Sequence, residues 1–259
     1  MPQYRERPRF VMWVRNRQGL RAPPAGPTTA SQPRGPILEA TGIRTGYGSI
    51  PVLRGLNLTV NAGEVVALLG ANGAGKTTTL HSLAGDLPLH SGVVKWQGRP
   101  TSASLHRRAR SGLGLLTEER SVFMKLTVAE NLRLGRGNPD EALSIMPELG
   151  KLMRRRAGLL SGGEQQMLTL GRALASDFKV LMIDEISLGL APIIVKRLLR
   201  AVRDAAAKRQ LGILLVEQHV AAALEFSDRA VVLRRGEIAL EGASADLAGR
   251  TEVIREVYL

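Results

Sequence analysis

Two short runs in this sequence have the residue types that triphosphate chemistry needs. Residues 70–77 read Gly70-Ala71-Asn72-Gly73-Ala74-Gly75-Lys76-Thr77, which satisfies the pattern G-x-x-x-x-G-K-[ST] in full. Successive backbone N–H groups of such a loop wrap phosphate oxygens, and glycine lets the chain approach without a Cβ clash. The helix that follows turns its positive N-terminal end toward the anion. Lys76 is placed to reach the β- and γ-phosphates, the Thr77 hydroxyl to ligate Mg²⁺, and Thr78 to complete the phosphate-facing turn. The alternative is a glycine-rich turn with a chance Lys-Thr. An apolar strand pattern before the loop and a helix pattern after it argue against that alternative.

The second run is Val180–Ile183, an apolar segment ending in Asp184-Glu185. In a parallel sheet the C-terminal ends of strands line the ligand crevice. Asp184 is placed to hold Mg²⁺, and Glu185 to polarise an attacking water or take its proton. By itself an acidic pair is more often the start of a loop; beside a phosphate loop it reads as catalytic. Just upstream lies Leu160-Ser161-Gly162-Gly163-Glu164-Gln165-Gln166. Ser161 and Glu164 form a valid capping box. Capping gives no reason for two adjacent glycines, which weaken a helix, whereas close approach of backbone to an anion does.

The elements around these runs alternate. Short β-rich segments are expected over 37–41, 53–60 and 64–69, a helix from about Lys76, and a second helix from the Thr127–Glu130 capping box through Leu134. A helix-rich stretch continues to about Ala175. Strand 179–184, helix 192–207, strand 211–217, helix 218–226 and strands 229–234 and 237–241 follow, with a turn near Gly236. Alternating β and α units predict a mostly parallel sheet with helices on both faces.

Composition narrows the classes. The 259 residues include no cysteine, which excludes disulfides, thiolate nucleophiles and Cys-ligated zinc. The four histidines, His81, His90, His106 and His219, are too scattered for a metal site. No uncharged apolar run approaches the ~18 residues of a membrane span. Of the net charge of +13, residues 1–35 supply +6, with seven arginines against Glu6. This Pro-rich segment is read as a disordered basic extension, or as an overlong translation start with Met12 as an internal alternative. The remaining basic surplus has no aromatic interleaving, so nucleic acid is not expected as a partner. The arginine runs at 107–110 and 154–156 are expected on solvated helix surface, with lipid headgroups or a partner protein as the alternative they could face.

LSGGEQQ, between the phosphate loop and the acidic strand, resembles the signature of ABC ATPases. The strings TEERSVF, LSGGEQQM, SLGLAP and LLVEQH are similar to one ATPase subunit of branched-chain amino acid importers, over residues 37–259. The resemblance implies an α/β P-loop NTPase with a mixed sheet core, an antiparallel β subdomain and a helical subdomain over about 102–170. It implies ATP and Mg²⁺ as cofactors and two cassettes sandwiching two nucleotides. Ser161 and Gly163, with Gly162 and Glu164 beside them, would face the γ-phosphate held by the other subunit. Tyr47, in GYGSIPVL, is similar to the aromatic that stacks on adenine. Glu118 stands where many members have a glutamine that couples the γ-phosphate and metal to the membrane partner. Gln218 stands at the usual switch-histidine place, with His219 next, and Ala191 where many have aspartate; this subfamily tolerates all three. Ile186 replaces the common proline after the acidic pair. The implied partners are membrane permease subunits, a second ATPase subunit and, indirectly, a periplasmic substrate-binding protein, with the chain on the cytoplasmic face of a bacterial inner membrane. Rival readings are a soluble ABC ATPase acting on DNA or ribosomes, a nucleotide-holding regulatory subunit with weak hydrolysis, and a urea or amide importer ATPase.

Overall fold

The computed structural model describes residues 36–119 and 121–258, so the extension expected over 1–35 lies outside the described residues. The elements run β1 (Leu38–Tyr47), β2 (Ile50–Val60), β3 (Val65–Gly70), α1 (Lys76–Ala84), β4 (Ser91–Trp96), β5 (Arg99–Pro100), α2 (Leu105–Arg110), β6 (Leu113–Leu116), α3 (Val128–Leu134) and α4 (Pro139–Ile145). After 3-10 turns at Pro147–Leu152 and Ala157–Leu159 come α5 (Gly162–Leu174), β7 (Val180–Asp184), α6 (Pro192–Arg209), β8 (Gly212–Val216), α7 (Val220–Phe226), β9 (Arg229–Arg234), β10 (Glu237–Ala243), α8 (Ser244–Ala248) and α9 (Thr251–Tyr258).

Every residue of β3, β7 and β8 is buried. These strands are runs rich in Val, Leu and Ile without polar alternation, as parallel strands covered on both faces require. They sit at the centre of a sheet of order β10-β9-β3-β8-β7-β6. All its pairs are parallel except β9 with β10. Those two strands close through Arg235 (φ 51) and Gly236 (φ 83), a two-residue hairpin with both central residues left-handed. Strands β2-β1-β4-β5 form a second, antiparallel sheet. Leu38, Leu56 and Val60 from that sheet pack with Leu68, Leu80, Leu83 and Val216 in one core. A larger core joins β7 and β8 to α5 and α6 through Ile183, Leu168, Leu198 and Leu215.

The structure departs from the sequence reading in three places. β6, within the stretch expected to be helical over about 102–170, joins the main sheet beside β7. Its Leu-Gly-Leu-Leu run is too short for periodicity to separate strand from helix. β4 and β5 also escaped the sequence reading. Arg108, expected on a solvated surface, is buried; it donates to Leu83 O at 2.5 Å, Ala103 O at 2.8 Å and Thr101 O at 3.1 Å. Its charge therefore meets the carbonyl end of α1, where a cation is favoured.

Candidate active site

The phosphate loop is the link between β3 and α1. Gly75 caps α1 at φ 107, and a Cβ there would lie 2.9 Å from Leu53 Cδ2. Only glycine combines that left-handed backbone with the close approach of β2. Lys76 is 5% exposed and donates from Nζ to Gly70 O at 2.8 Å and Ala71 O at 3.1 Å. Its amine is thus folded back over the loop that carries it. Burial holds the Lys76 ammonium below its ordinary pKa, against the pull of Glu185 and Asp184. Thr77, Asn72 and Gly73 are exposed, while Ala74 and Thr78 are buried.

Sheet order does the assembling. β3, β8 and β7 are consecutive neighbours, so the loops leaving their C-terminal ends converge, as open α/β sheets arrange ligand crevices. Glu185, just past β7, has its carboxylate 3.8 Å from Lys76 Nζ and accepts from Gln218 Nε2 at 2.7 Å. Gln218, just past β8, also donates to Asn72 Oδ1 at 3.4 Å. The chain Lys76–Glu185–Gln218–Asn72 thus spans all three loops. Glu185 itself sits at φ 47, a strained conformation for a residue with a Cβ.

Asp184, the last residue of β7, is 5% exposed. Burial raises its pKa, and a hydrogen bond from Thr77 opposes the rise. Its Oδ1 is buried with no hydrogen-bond partner. A buried carboxylate oxygen with unused acceptor capacity, beside a threonine hydroxyl, is the oxygen donor set of a hard divalent cation such as Mg²⁺. No group of three or more His, Asp or Glu capable of holding a metal occurs among the described residues. Glu118 is exposed and within electrostatic reach of Asp184.

Other expected residues lie around this centre. Tyr47 is 55% exposed at the tip of the β1–β2 hairpin, whose Val52 and Leu53 abut Gly75. Ser161 is exposed and caps α5: Glu164 N–H donates to Ser161 Oγ at 3.3 Å, and Ser161 N–H to Glu164 Oε2 at 2.7 Å. A Cβ on Gly163 would stand 3.3 Å from Ile194 Cγ2, so packing against α6 supplies one reason for a glycine there. His219 is exposed and caps α7, while Gln218 makes the contact with Glu185. Sequence reasoning missed Glu217 and Ser187. Glu217 is fully buried, accepts from Ser187 Oγ at 2.5 Å, and has its pKa raised by burial. The signal was available, since a charged residue closing an apolar strand needs an explanation.

A family described as ABC transporter matches residues 53–187. The chain is 38% identical to the high-affinity branched-chain amino acid transport ATP-binding protein BraG of Pseudomonas aeruginosa, across 86% of this chain and 99% of that one. The chain belongs to the ABC transporter family. This ABC ATPase is also 37% identical to the probable branched-chain amino acid transport ATP-binding protein LivF of Archaeoglobus fulgidus, covering 82% of this chain and 94% of the relative. It is 33% identical to the lipopolysaccharide export system ATP-binding protein LptB of Escherichia coli, covering 86% and 96%. Its backbone matches a nucleotide-free ATP-binding cassette from an ABC transporter at a TM-score of 0.76 and 25% identity, over 86% of this chain and 99% of that one. As a member of the family it binds nucleotide and hydrolyses ATP. No described helix is long and apolar enough to cross a membrane.

Proposed function

We propose that this ABC ATPase energises an importer of branched-chain amino acids, and that Glu185 is the residue that acts on the attacking water. The contact carrying the second statement is the 3.8 Å approach of Lys76 to Glu185 across the mouth of the phosphate loop. Lys76 and the loop amides bind the β- and γ-phosphates. Asp184 and Thr77, with Glu118 nearby, hold Mg²⁺, which when bound neutralises charge on the β- and γ-phosphate oxygens. Glu185 accepts or orients the water's proton, and Gln218 fixes the carboxylate that does so. Tyr47 offers its exposed ring to adenine. Ser161, exposed at the start of α5, completes with Gly162 and Gly163 the nucleotide site of a second ATPase subunit, so each site needs two chains. Permease subunits, and through them a periplasmic substrate-binding protein, receive the work of closure at the cytoplasmic face of the inner membrane. BraG and LivF, aligned over almost their whole length, support the substrate class.

The test uses the transporter complex isolated through a tag on this chain. Glu185→Gln is expected to keep ATP affinity and lose about 100-fold or more in hydrolysis, the scale of a general base. Normal turnover in that variant would remove Glu185 from the role. ATP-dependent uptake of leucine into vesicles, suppressed by isoleucine and valine, tests the cargo; uptake of urea or an amide in its place would move the chain to that branch.

A further inference from the structure

Three ties bind the segment leaving β7 to the segment leaving β8. The Glu185 N–H donates to Val216 O at 3.1 Å, and the Gln218 amide donates to the Glu185 carboxylate at 2.7 Å. The third tie is different in kind: Ser187 Oγ–H donates to Glu217 Oε2 at 2.5 Å, with both residues buried. Glu217 Oε1 has no hydrogen-bond partner. A buried carboxyl with part of its acceptor capacity unmet is costly, and a purely packing position at the end of an apolar strand would favour leucine.

What this costly pair holds is a strained residue. Glu185 lies at φ 47, and a non-glycine residue in that region persists only where its surroundings over-determine it. The next residue, Ile186, is buried but leaves its own φ unlocked, unlike a proline. Ser187 is therefore the first position after Glu185 at which a side-chain hydrogen bond anchors the loop. The anchor reaches the residue adjacent to Gln218, so both partners of the Glu185–Gln218 contact are set by one buried bond.

We propose that Ser187 and Glu217 are positioning residues for hydrolysis, their buried hydrogen bond clamping the 185–187 loop so that Glu185 stays in its left-handed conformation facing Lys76. The proposal rests on the reading of Glu185 given above. The clamp acts on the orientation of Glu185 and not on the nucleotide cradle, so its loss lowers turnover and spares binding.

The experiment measures kcat, KM for ATP and Tm on the tagged transporter complex. Ser187→Ala removes one oxygen and, assayed well below the Tm of every variant, is expected to lower kcat about tenfold, the scale of one hydrogen bond to a charged group, with KM close to wild type and Tm lowered because the buried Glu217 carboxyl loses its donor. Ser187→Thr, which keeps the hydroxyl, restores kcat. The double variant of Ser187→Ala with Glu217→Leu is expected to be no slower than either single variant, because both remove the same bond. Wild-type kcat in Ser187→Ala overturns the proposal. A fall in kcat that tracks a fall in Tm, with no rescue by Ser187→Thr, overturns it equally. Glu185→Gln measured alongside separates the two readings. If it turns over normally, the assignment of Glu185 fails; if it is inactive while Ser187→Ala is fully active, only the clamp fails.

Discussion

Asp184 is 5% exposed, and its Oδ1 meets no hydrogen-bond donor. Without a cation, a carboxylate in that position is a buried charge that the fold tolerates rather than profits from. Residues of this kind exchange stability for function. Asp184→Asn keeps the shape and removes the charge. The nucleotide-free variant is therefore expected to melt above the wild type while losing Mg²⁺-dependent hydrolysis by about 100-fold or more, the scale of a lost electrostatic stabiliser. Calorimetry without nucleotide, beside an ATPase assay, checks both halves. A drop in melting temperature would mean that Asp184 is satisfied in some other way. Glu217 has the same profile, fully buried with one oxygen unpaired, but lies one step further from the phosphate loop.

Helix α5 carries two demands on its first turn. Ser161 and Glu164 satisfy each other's backbone donors in a capping box, a cap worth about 1 kcal/mol. The same serine, exposed at the helix start, is the residue proposed to meet a neighbour's γ-phosphate. Substitution can separate these roles, because aspartate caps a helix as well as serine does but repels a phosphate. Ser161→Asp is expected to retain the wild-type melting temperature and to lose ATP-dependent association of two cassettes, read by light scattering or sedimentation. If association persists, the signature turn does not face the partner's nucleotide. The elements around α5 were partly legible in advance. The capping boxes at Thr127 and Ser161, and the apolar runs of β3, β7 and β8, carry local signals that act within a few residues. β4, β5 and β6 do not: Arg99-Pro100 and Leu113–Leu116 are strands because a neighbour offers an edge, and such pairing leaves little trace in a short segment.

For the whole molecule, burial of Asp184 and Glu217 links stability to pH. Both carboxyls titrate above their ordinary values because burial disfavours the charged form. A carboxyl whose folded pKa exceeds its unfolded one contributes stability that is complete below the unfolded value and is lost as pH rises through the folded value. The melting temperature of nucleotide-free protein, compared between wild type and Glu217→Gln, is expected to show this sign. The variant gains relative to the wild type as pH climbs above the ordinary carboxylate range, and the two curves draw together below it. A difference independent of pH would show that Glu217 keeps the same charge in the folded and unfolded states.

The residue types were decided locally. A glycine-rich loop with Lys76 and Thr77 declares its chemistry through spacing, because backbone geometry and phosphate size allow few substitutes, whereas the Asp184-Glu185 tip gains its reading beside that loop and the LSGGEQQ turn through its resemblance to a family signature. Distances between them could not be read that way. That Glu185 stands 3.8 Å from Lys76, that Gln218 rather than His219 reaches Glu185, and that Ser187 finds Glu217 all follow from β3, β8 and β7 lying side by side. Strand order is a property of long-range pairing, set by which apolar faces bury together, and no single segment of the chain contains it.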